Sequence, residues 1–239
     1  MRKFYALSVL VLSTACATFT GGKKVTTTIP CIGAIGTTHA SFFSKAFVKV
    51  GAPELSAPIA VQIQSIAFDR STFTAYKKFR TAQGKEVTLE YVDTLDTKPR
   101  FFQLALSNVV QFTEQLNTER NRSLRTYIMQ DRQHLLLSGV SFVTDEATAL
   151  QLQKSVHFYL TSNAGELQLQ GKTGKYKTTI PMAALQVFDF NTSGFCWQNN
   201  RYGKPEIALI VPKGAGCPPD LEKDASKIDD TKVYLKLQP

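Results

Sequence analysis

Cys31 and His39 stand close together in Pro30-Cys31-Ile32-Gly33-Ala34-Ile35-Gly36-Thr37-Thr38-His39. A thiol beside an imidazole is the pair that nucleophilic catalysis uses. In cysteine hydrolases, however, the histidine comes far along the chain and a third group orients it. The pair reads better as a small buried cysteine and a surface histidine. His39, His134 and His157 are distant from one another, and His-x-x-x-His, Cys-x-x-Cys and Asp-rich loops are lacking. Local spacing therefore gives no metal ligand set, and no cofactor is expected. Gly171-Lys172-Thr173 invites a phosphate-loop reading, but Glu166 occupies the place of the first glycine and the residues between alternate as a strand. The stretch from Tyr176 to Pro181 continues as another strand, without the helix whose N-terminus would hold a phosphate. Gly-x-Ser-x-Gly is absent, which argues against a lipase elbow. Asp93, Asp96, Asp189, Glu114 and Glu119 offer carboxylates, but sequence does not show which two would stand at glycosidase separation.

Charged and aromatic clusters point to binding chemistry instead. Arg120, Arg122, Arg125 and Arg132 fall within a short segment, with Glu119 and Asp131 the nearby acids. Guanidinium groups make bidentate contacts to carboxylate or phosphate, so Arg120, Arg122 and Arg125 are candidates for binding an anion. With Leu124, Thr126 and Ile128 pointing inward along a strand, Arg125 points outward, and Arg120 and Arg122 lie in the loop before it. Lys77, Lys78, Arg80 and Lys85 form a second basic cluster, and Lys172, Lys175 and Lys177 a third. Phe188, Phe190, Phe195, Trp197 and Tyr202 form an aromatic cluster beside Asn199, Asn200 and Arg201. An exposed Trp197 and Tyr202 would stack a sugar ring; buried, the same residues are ordinary sheet core.

The elements that carry these residues read as short strands. Ile59, Val61 and Ile63 alternate with polar or small residues, and the phase flips at Ile66 and Phe68, which suggests a bulge near Ser65. Val87, Leu89 and Tyr91 alternate after Ala82-Gln83-Gly84-Lys85, which reads as a hairpin turn back to Phe73–Phe79. Phe102, Leu104 and Leu106 make another strand face. From 155 to 190, Val156-Phe158-Leu160, Leu167-Leu169, Tyr176-Thr178-Ile180 and Phe188-Phe190 alternate, with Gly-containing turns between the first three, as an antiparallel meander does. Ile207-Leu209-Val211 and Val233-Leu235-Leu237 repeat the pattern. Two short helices are expected: one capped by Asn108 with Val109, Phe112 and Leu116 on its inner face, and one capped by Thr144 with Leu150 buried. The expected fold is mainly β, a β-rich α+β class built as an antiparallel meander, sandwich or barrel-like sheet with about two short helices.

The strongest signal lies at the start. Met1-Arg2-Lys3 is basic, and Phe4 to Leu12 is an uncharged, mostly apolar run. Nine helical residues rise about 14 Å, under half of a hydrocarbon core of about 30 Å, so the run suits secretion rather than membrane crossing. Ser13-Thr14-Ala15-Cys16 comes next. This block resembles the signal peptide of bacterial lipoproteins, whose lipobox is Leu-[Ala/Ser/Thr]-[Gly/Ala]-Cys. Thr14, Ala15 and Cys16 match, and Ser13 stands where leucine is usual. The resemblance implies a diacylglyceryl thioether on Cys16, cleavage before it and N-acylation with a palmitate-type chain. Each buried methylene adds about 0.8 kcal/mol, so two or three chains anchor stably in membrane lipid. Ala17, being other than Asp, implies the outer membrane. Thr18 to Thr28 reads as a Thr/Gly-rich tether without the acidic cluster of surface-exported lipoproteins, which favours a domain facing the periplasm.

The organisation expected is therefore a signal peptide over 1–15, an acylated N-terminus and tether over 16–28, and one β-rich domain over 29–239. With Cys16 committed to lipid, Cys31, Cys196 and Cys217 remain, an odd count that leaves one thiol over from any bridge. Cys196–Cys217 is the favoured pair, because it would staple the Pro/Gly-rich stretch from Pro212 to the strand before it; a bridge through Cys31 and a fully reduced domain stay open. The composition, 43% hydrophobic and 20% charged, excludes a disordered or low-complexity chain. The net charge of +9 falls by two to +7 when Arg2 and Lys3 leave. An exported basic protein meets anionic glycans, headgroups or acidic proteins rather than nucleic acid. The function expected is a non-catalytic binding or envelope-assembly role at the outer membrane. The alternatives are a cell-surface glycan- or ligand-binding lipoprotein and an envelope hydrolase of unrecognised type.

Overall fold

Apolar residues gather on both faces of one antiparallel sheet in the computed structural model, which describes residues 31–40, 45–94 and 97–228. In chain order the strands are β1 (Ile35–Ala40), β2 (Lys45–Gly51), β3 (Ile59–Ala67), β4 (Arg100–Leu106), β5 (Leu135–Val143), β6 (His157–Asn163), β7 (Glu166–Thr173), β8 (Tyr176–Ile180), β9 (Gln186–Asn199) and β10 (Pro205–Pro212). The helices are α1 (Arg70–Ala82), α2 (Val109–Asn117), α3 (Arg122–Gln130) and α4 (Glu146–Lys154). The strands pair in the order β10-β9-β5-β4-β3-β6-β7-β8, and β1 joins both β2 and the start of β5. The sheet does not close into a barrel, and the class is β-rich α+β. Among the described residues no helix is long and apolar enough to cross a membrane. The 1–15 and 16–28 segments and the Val233–Leu237 strand lie outside the described residues.

The meander forms as its alternation directs. β6 pairs β7 and β7 pairs β8 without a register shift. The first turn uses Ala164 and Gly165, both at positive φ, the backbone that a two-residue hairpin loop demands. At the far end of the sheet path, Lys172 faces Lys177 across β7–β8, and Tyr176 is exposed. At β1–β2, Gly36 allows the strands to approach: a Cβ there would stand 2.1 Å from the Val48 carbonyl oxygen.

The phase flip after Ile63 has a different cause from the bulge expected near Ser65. β3 pairs β4 in unbroken register from Val61 to Ala67. What changes is the face that is covered. Ile59, Val61 and Ile63 join the main core, whereas Ile66 and Phe68 join a smaller aromatic cluster on the other face, with Tyr76, Phe101, Val143 and Phe188. Bulges lie elsewhere. Phe188 is an extra residue on β9 between the pairs Ser141–Asp189 and Phe142–Val187, so Phe188 joins the aromatic cluster while Val187 and Phe190 face the main core. A second bulge at Ala208 turns Ile207 and Ile210 inward and leaves Leu209 exposed, breaking the expected 207-209-211 alternation.

The hairpin expected over residues 73–91 is instead α1 followed by an extended segment outside the ladder. Asp69 Oδ1 accepts from Thr72 N (2.7 Å) and Thr72 Oγ1 accepts from Asp69 N (3.0 Å), a reciprocal cap. Phe68 before the cap packs on Phe73 inside it, with ring centroids 5.7 Å apart, stapling the helix entry. Phe73, Tyr76 and Phe79 follow helical spacing, which outweighs the alternation. Val87, Leu89 and Tyr91 still lay their apolar side on this cluster, and Arg80 holds the segment by donating to the Glu86 carbonyl.

α2 forms as expected, with Asn108 Oδ1 accepting from Gln111 N (3.0 Å) and Phe112 and Leu116 fully buried. α4 is capped by Asp145 rather than Thr144, whose hydroxyl donates instead to the Ala184 carbonyl. Leu152 is the buried residue on α4, and Leu150 is exposed. The strand expected at Leu124–Ile128 is α3, where Leu124 and Ile128 share a helical face.

Three amide side chains fix α2 and the turn before α3 to β10 and to the segment between β2 and β3. Asn117 donates to the Ile207 carbonyl (2.8 Å) and accepts from Ile207 N (3.0 Å), copying a strand pairing on the edge of β10 away from β9. Gln115 Oε1 accepts from Ser56 N and Ser56 Oγ (2.8 and 2.7 Å). Asn121, only 2% exposed, accepts from Glu54 N (2.8 Å) and donates to the Glu54 and Gln115 carbonyls (2.9 and 2.8 Å). Removing one partner strands the others, at about 1–3 kcal/mol. Asn121→Ala should therefore lower unfolding stability by about 2 kcal/mol. Urea denaturation followed by circular dichroism checks this, with the midpoint falling and the slope unchanged.

Candidate functional site

The loop after β10 is pinned to β9 at two places. Cys196 and Cys217 are disulfide-bonded, with Cα atoms 5.7 Å apart. One residue on, Trp197 N donates to the Glu222 carbonyl (2.7 Å) and Glu222 N to the Trp197 carbonyl (3.0 Å), so the loop takes the edge of β9 that β5 has left. Ala225 and Ile228 then join the main core.

This pinned loop forms one wall of a cleft of about 380 Å³. The other walls are the residues that come after α3, the Thr37–Thr38 stretch of β1, and β9 with the end of β10. Its floor is apolar, with Trp197, Phe195, Ile128 and Leu135 all nearly buried. Arg132, Lys213 and Lys223 line it with exposed charge, against Asp131. Lys213 Nζ donates to Thr38 Oγ1 (2.8 Å), which ties β1 to the rim. His134 in the same wall is 7% exposed and packs against Tyr127, and its Nδ1 has no hydrogen-bond partner among the described residues. A larger groove of about 540 Å³ lies where β3 and β6 diverge, lined by Gln62, Ile63 and His157 and bearing no Lys, Arg, Asp or Glu.

The residues singled out from sequence distribute unevenly around these features. Cys31 is a free thiol whose Sγ points to the Leu167 carbonyl (3.8 Å), while exposed His39 lies beside Thr37 Oγ1 (3.3 Å). The two do not form a hydrogen-bonded pair. Burial pushes the Cys31 thiol up to about 12, against the opposing pull of Lys49, so the thiolate a nucleophile needs is disfavoured. Asp93 accepts from Tyr91 Oη (2.6 Å) and pairs with Lys98 and Arg70; that hydrogen bond holds Asp93 below the carboxylate range and lifts the Tyr91 hydroxyl to about 12. Asp189 pairs with Lys45, and Glu119 with Arg122. Asp96 lies outside the described residues. Asp69, Asp145 and Asp224 are held low by the backbone and hydroxyl groups they cap. Among the described residues no group of three His, Cys, Asp or Glu side chains comes together to hold a metal.

The arginine segment is rearranged by the helix. Arg120 and Arg122 stay exposed, but Arg125 turns inward and donates to the Leu116 and Thr118 carbonyls (3.1 and 3.3 Å), closing the C-terminus of α2. The accessible strand edge expected for Arg125 is not formed. Arg132 instead reaches the cleft, beyond the helix end. Trp197, at 3% exposed, and Tyr202, at 69%, share no stacking platform. Asn200 Oδ1 serves the turn, accepting from Tyr202 N and Lys204 N. Sequence reasoning missed Lys213, Lys223 and His134 as neighbours, because the loop after β10 and the stretch after α3 meet only in the fold. The one local signal was the Pro/Gly-rich loop that the disulfide staples.

Comparison with protein-family models, curated proteins and solved structures gives no match for this chain.

The bridge closes a loop between cysteines 21 residues apart, worth about 3 kcal/mol in the chain-entropy model. Cys217→Ser should raise amide exchange over residues 213–221 first, while the Trp197–Glu222 pairing keeps the rest docked; hydrogen exchange read by mass spectrometry checks this. Cys31 should resist iodoacetamide in the native protein and react in denaturant. The folded thiol keeps its proton to about 12, whereas an unfolded one loses it near 9.0. Stability should therefore fall as pH rises through that window, and Cys31→Ala should remove that part of the decline in pH-dependent melting.

Proposed function

We propose that this chain is a bacterial lipoprotein, held to the outer membrane through an acylated Cys16, with a non-catalytic binding role in the envelope. The observation that carries the anchoring is the Thr14-Ala15-Cys16 block behind a basic start and a short uncharged run. The Cys196–Cys217 disulfide supports an exported chain, since such bridges persist in oxidising compartments such as the periplasm. The domain faces the periplasm in this reading.

Binding rather than catalysis is supported by where the perturbed groups lie. The raised thiol of Cys31 points to a backbone carbonyl, and the lowered carboxylates cap helices or turns or pair with cations at separate places. A catalytic pair would instead bring a nucleophile or acid within reach of a base in one cleft. The partner is anionic, matching the excess of Lys and Arg over Asp and Glu. Arg120 and Arg122, exposed at the entry to α3, are available to an envelope glycan or acidic protein, with Arg125 supporting them from the α2 terminus.

Expression in a bacterial host with a palmitate analogue tests the anchoring. The wild-type chain should be labelled and sediment with outer membranes, and Cys16→Ala should lose the label and leave that fraction. Equal labelling of the two, or a mature N-terminus other than Cys16, rejects the lipoprotein reading.

A further inference from the structure

The cleft between the end of α3, β1 and the disulfide-pinned loop has an apolar floor and a cationic rim. An apolar depression alone would fill with any greasy group, and a cationic patch alone would attract any counterion. Together they select a molecule with both parts. The floor is closed by Trp197 and Phe195, 3% and 5% exposed, with ring centroids 6.4 Å apart. The rim presents three cations; Asp131, the one acid lining the cleft, already accepts from Gln133 N (2.8 Å), and Asp224 lies close enough to Arg132 to feel its charge. The space is open where a ligand would need it. Gly194 lines the cleft from β9, and no heavy atom lies within 4 Å of where its Cβ would stand. The volume, about 380 Å³, suits a small ligand.

We propose that this cleft binds a small organic anion, with an apolar or aromatic body against Trp197 and Phe195 and a carboxylate or phosphate head among Arg132, Lys213 and Lys223. The site deepens the non-catalytic binding role by naming its ligand class, and it rests on that reading. Arg132 follows α3, whereas Lys213 and Lys223 both belong to the loop after β10, on either side of Cys217. The disulfide, the Glu222 pairing and the Lys213–Thr38 hydrogen bond fix those segments, so the rim is organised before a ligand arrives. Exposed rim charges feel salt over about 8 Å at physiological ionic strength, so the head contributes less as salt rises while the body's burial does not weaken.

Trp197 is the only tryptophan of the chain, so its fluorescence reports on this floor. The full-length protein, reconstituted in phosphatidylcholine vesicles, is titrated with 4-iodobenzoate, whose iodine quenches indole on contact. The neutral 4-iodobenzamide and inorganic phosphate are the comparison probes. Saturable quenching by iodobenzoate is expected, at least ten-fold tighter than by the amide and weakening with added salt. Phosphate should displace it only at much higher concentration. Arg132→Gln, Lys213→Gln and Lys223→Gln together should weaken iodobenzoate about ten-fold and leave the amide unchanged. Gly194→Leu should fill the cleft and abolish quenching by both, with an unchanged circular dichroism spectrum. Equal quenching by the amide, wild-type affinity in either variant, or full displacement by equimolar phosphate overturns the proposal. Cys16 labelling is scored separately, so an empty cleft on a correctly lipidated chain rejects the ligand and leaves the anchor standing.

Discussion

A long antiparallel sheet that fails to close leaves backbone groups without partners wherever a strand departs from its neighbour. Burying such a group without a partner costs as much as several methyl groups gain. In this protein side-chain amides take the place of missing strands. Asn117 pairs with Ile207 as a strand residue would, Asn121 does the same for Glu54, and Gln115 receives Ser56. All three sit on α2 or the single tight turn after it, so one short segment satisfies the polar groups of two irregular stretches. This sets the position of α2, with Phe112 and Leu116 in the main core, and also that of α3, whose Arg125 caps α2 in return.

The same logic builds the cleft. β9 outruns β5 beyond Ser193, and its exposed edge is taken by Glu222 from the loop after β10. The disulfide sits beside that pairing and not elsewhere along the loop. Covalent bond and hydrogen bonds therefore act on neighbouring residues, and the loop between Pro212 and Cys217 becomes a wall rather than a free excursion. Cations carried on that loop and on the turn after α3 face a floor set by the sheet.

Much of the sheet is legible in its alternation. The β6–β7–β8 meander, the faces of Phe102-Leu104-Leu106 and the Asn108 cap come from side-chain period and turn chemistry, which are local properties. Expectation and structure part where two periods coexist. Phe73, Tyr76 and Phe79 fit a helix face, yet short windows around them also alternate, and the deciding signal is the Asp69–Thr72 cap with Phe68 before it. Leu124 and Ile128 are ambiguous for the same reason. The phase flip in β3 is visible, but its cause is a second covered face, which depends on α1 packing there. Bulges at Phe188 and Ala208 depend on partner strands and leave no local mark. The disulfide pair is legible because a Pro/Gly-rich loop with little apolar content needs a staple. The rim cations are not, since their proximity is created by long-range pairing.

The last strand of the path, β8, presents an outer edge, and its inner neighbour sets Lys172 directly against Lys177. Like charges facing across a ladder weaken that hairpin slightly. They also make its margin repellent to another copy of itself. Wherever copies are crowded, molecules meet edge to edge far more often than in dilute solution. A bare strand margin would there nucleate stacking between copies. With Lys175 at the hairpin tip beside the facing pair, each domain carries a small electrostatic fender on a side where its hydrogen-bonding pattern would otherwise continue into its neighbour.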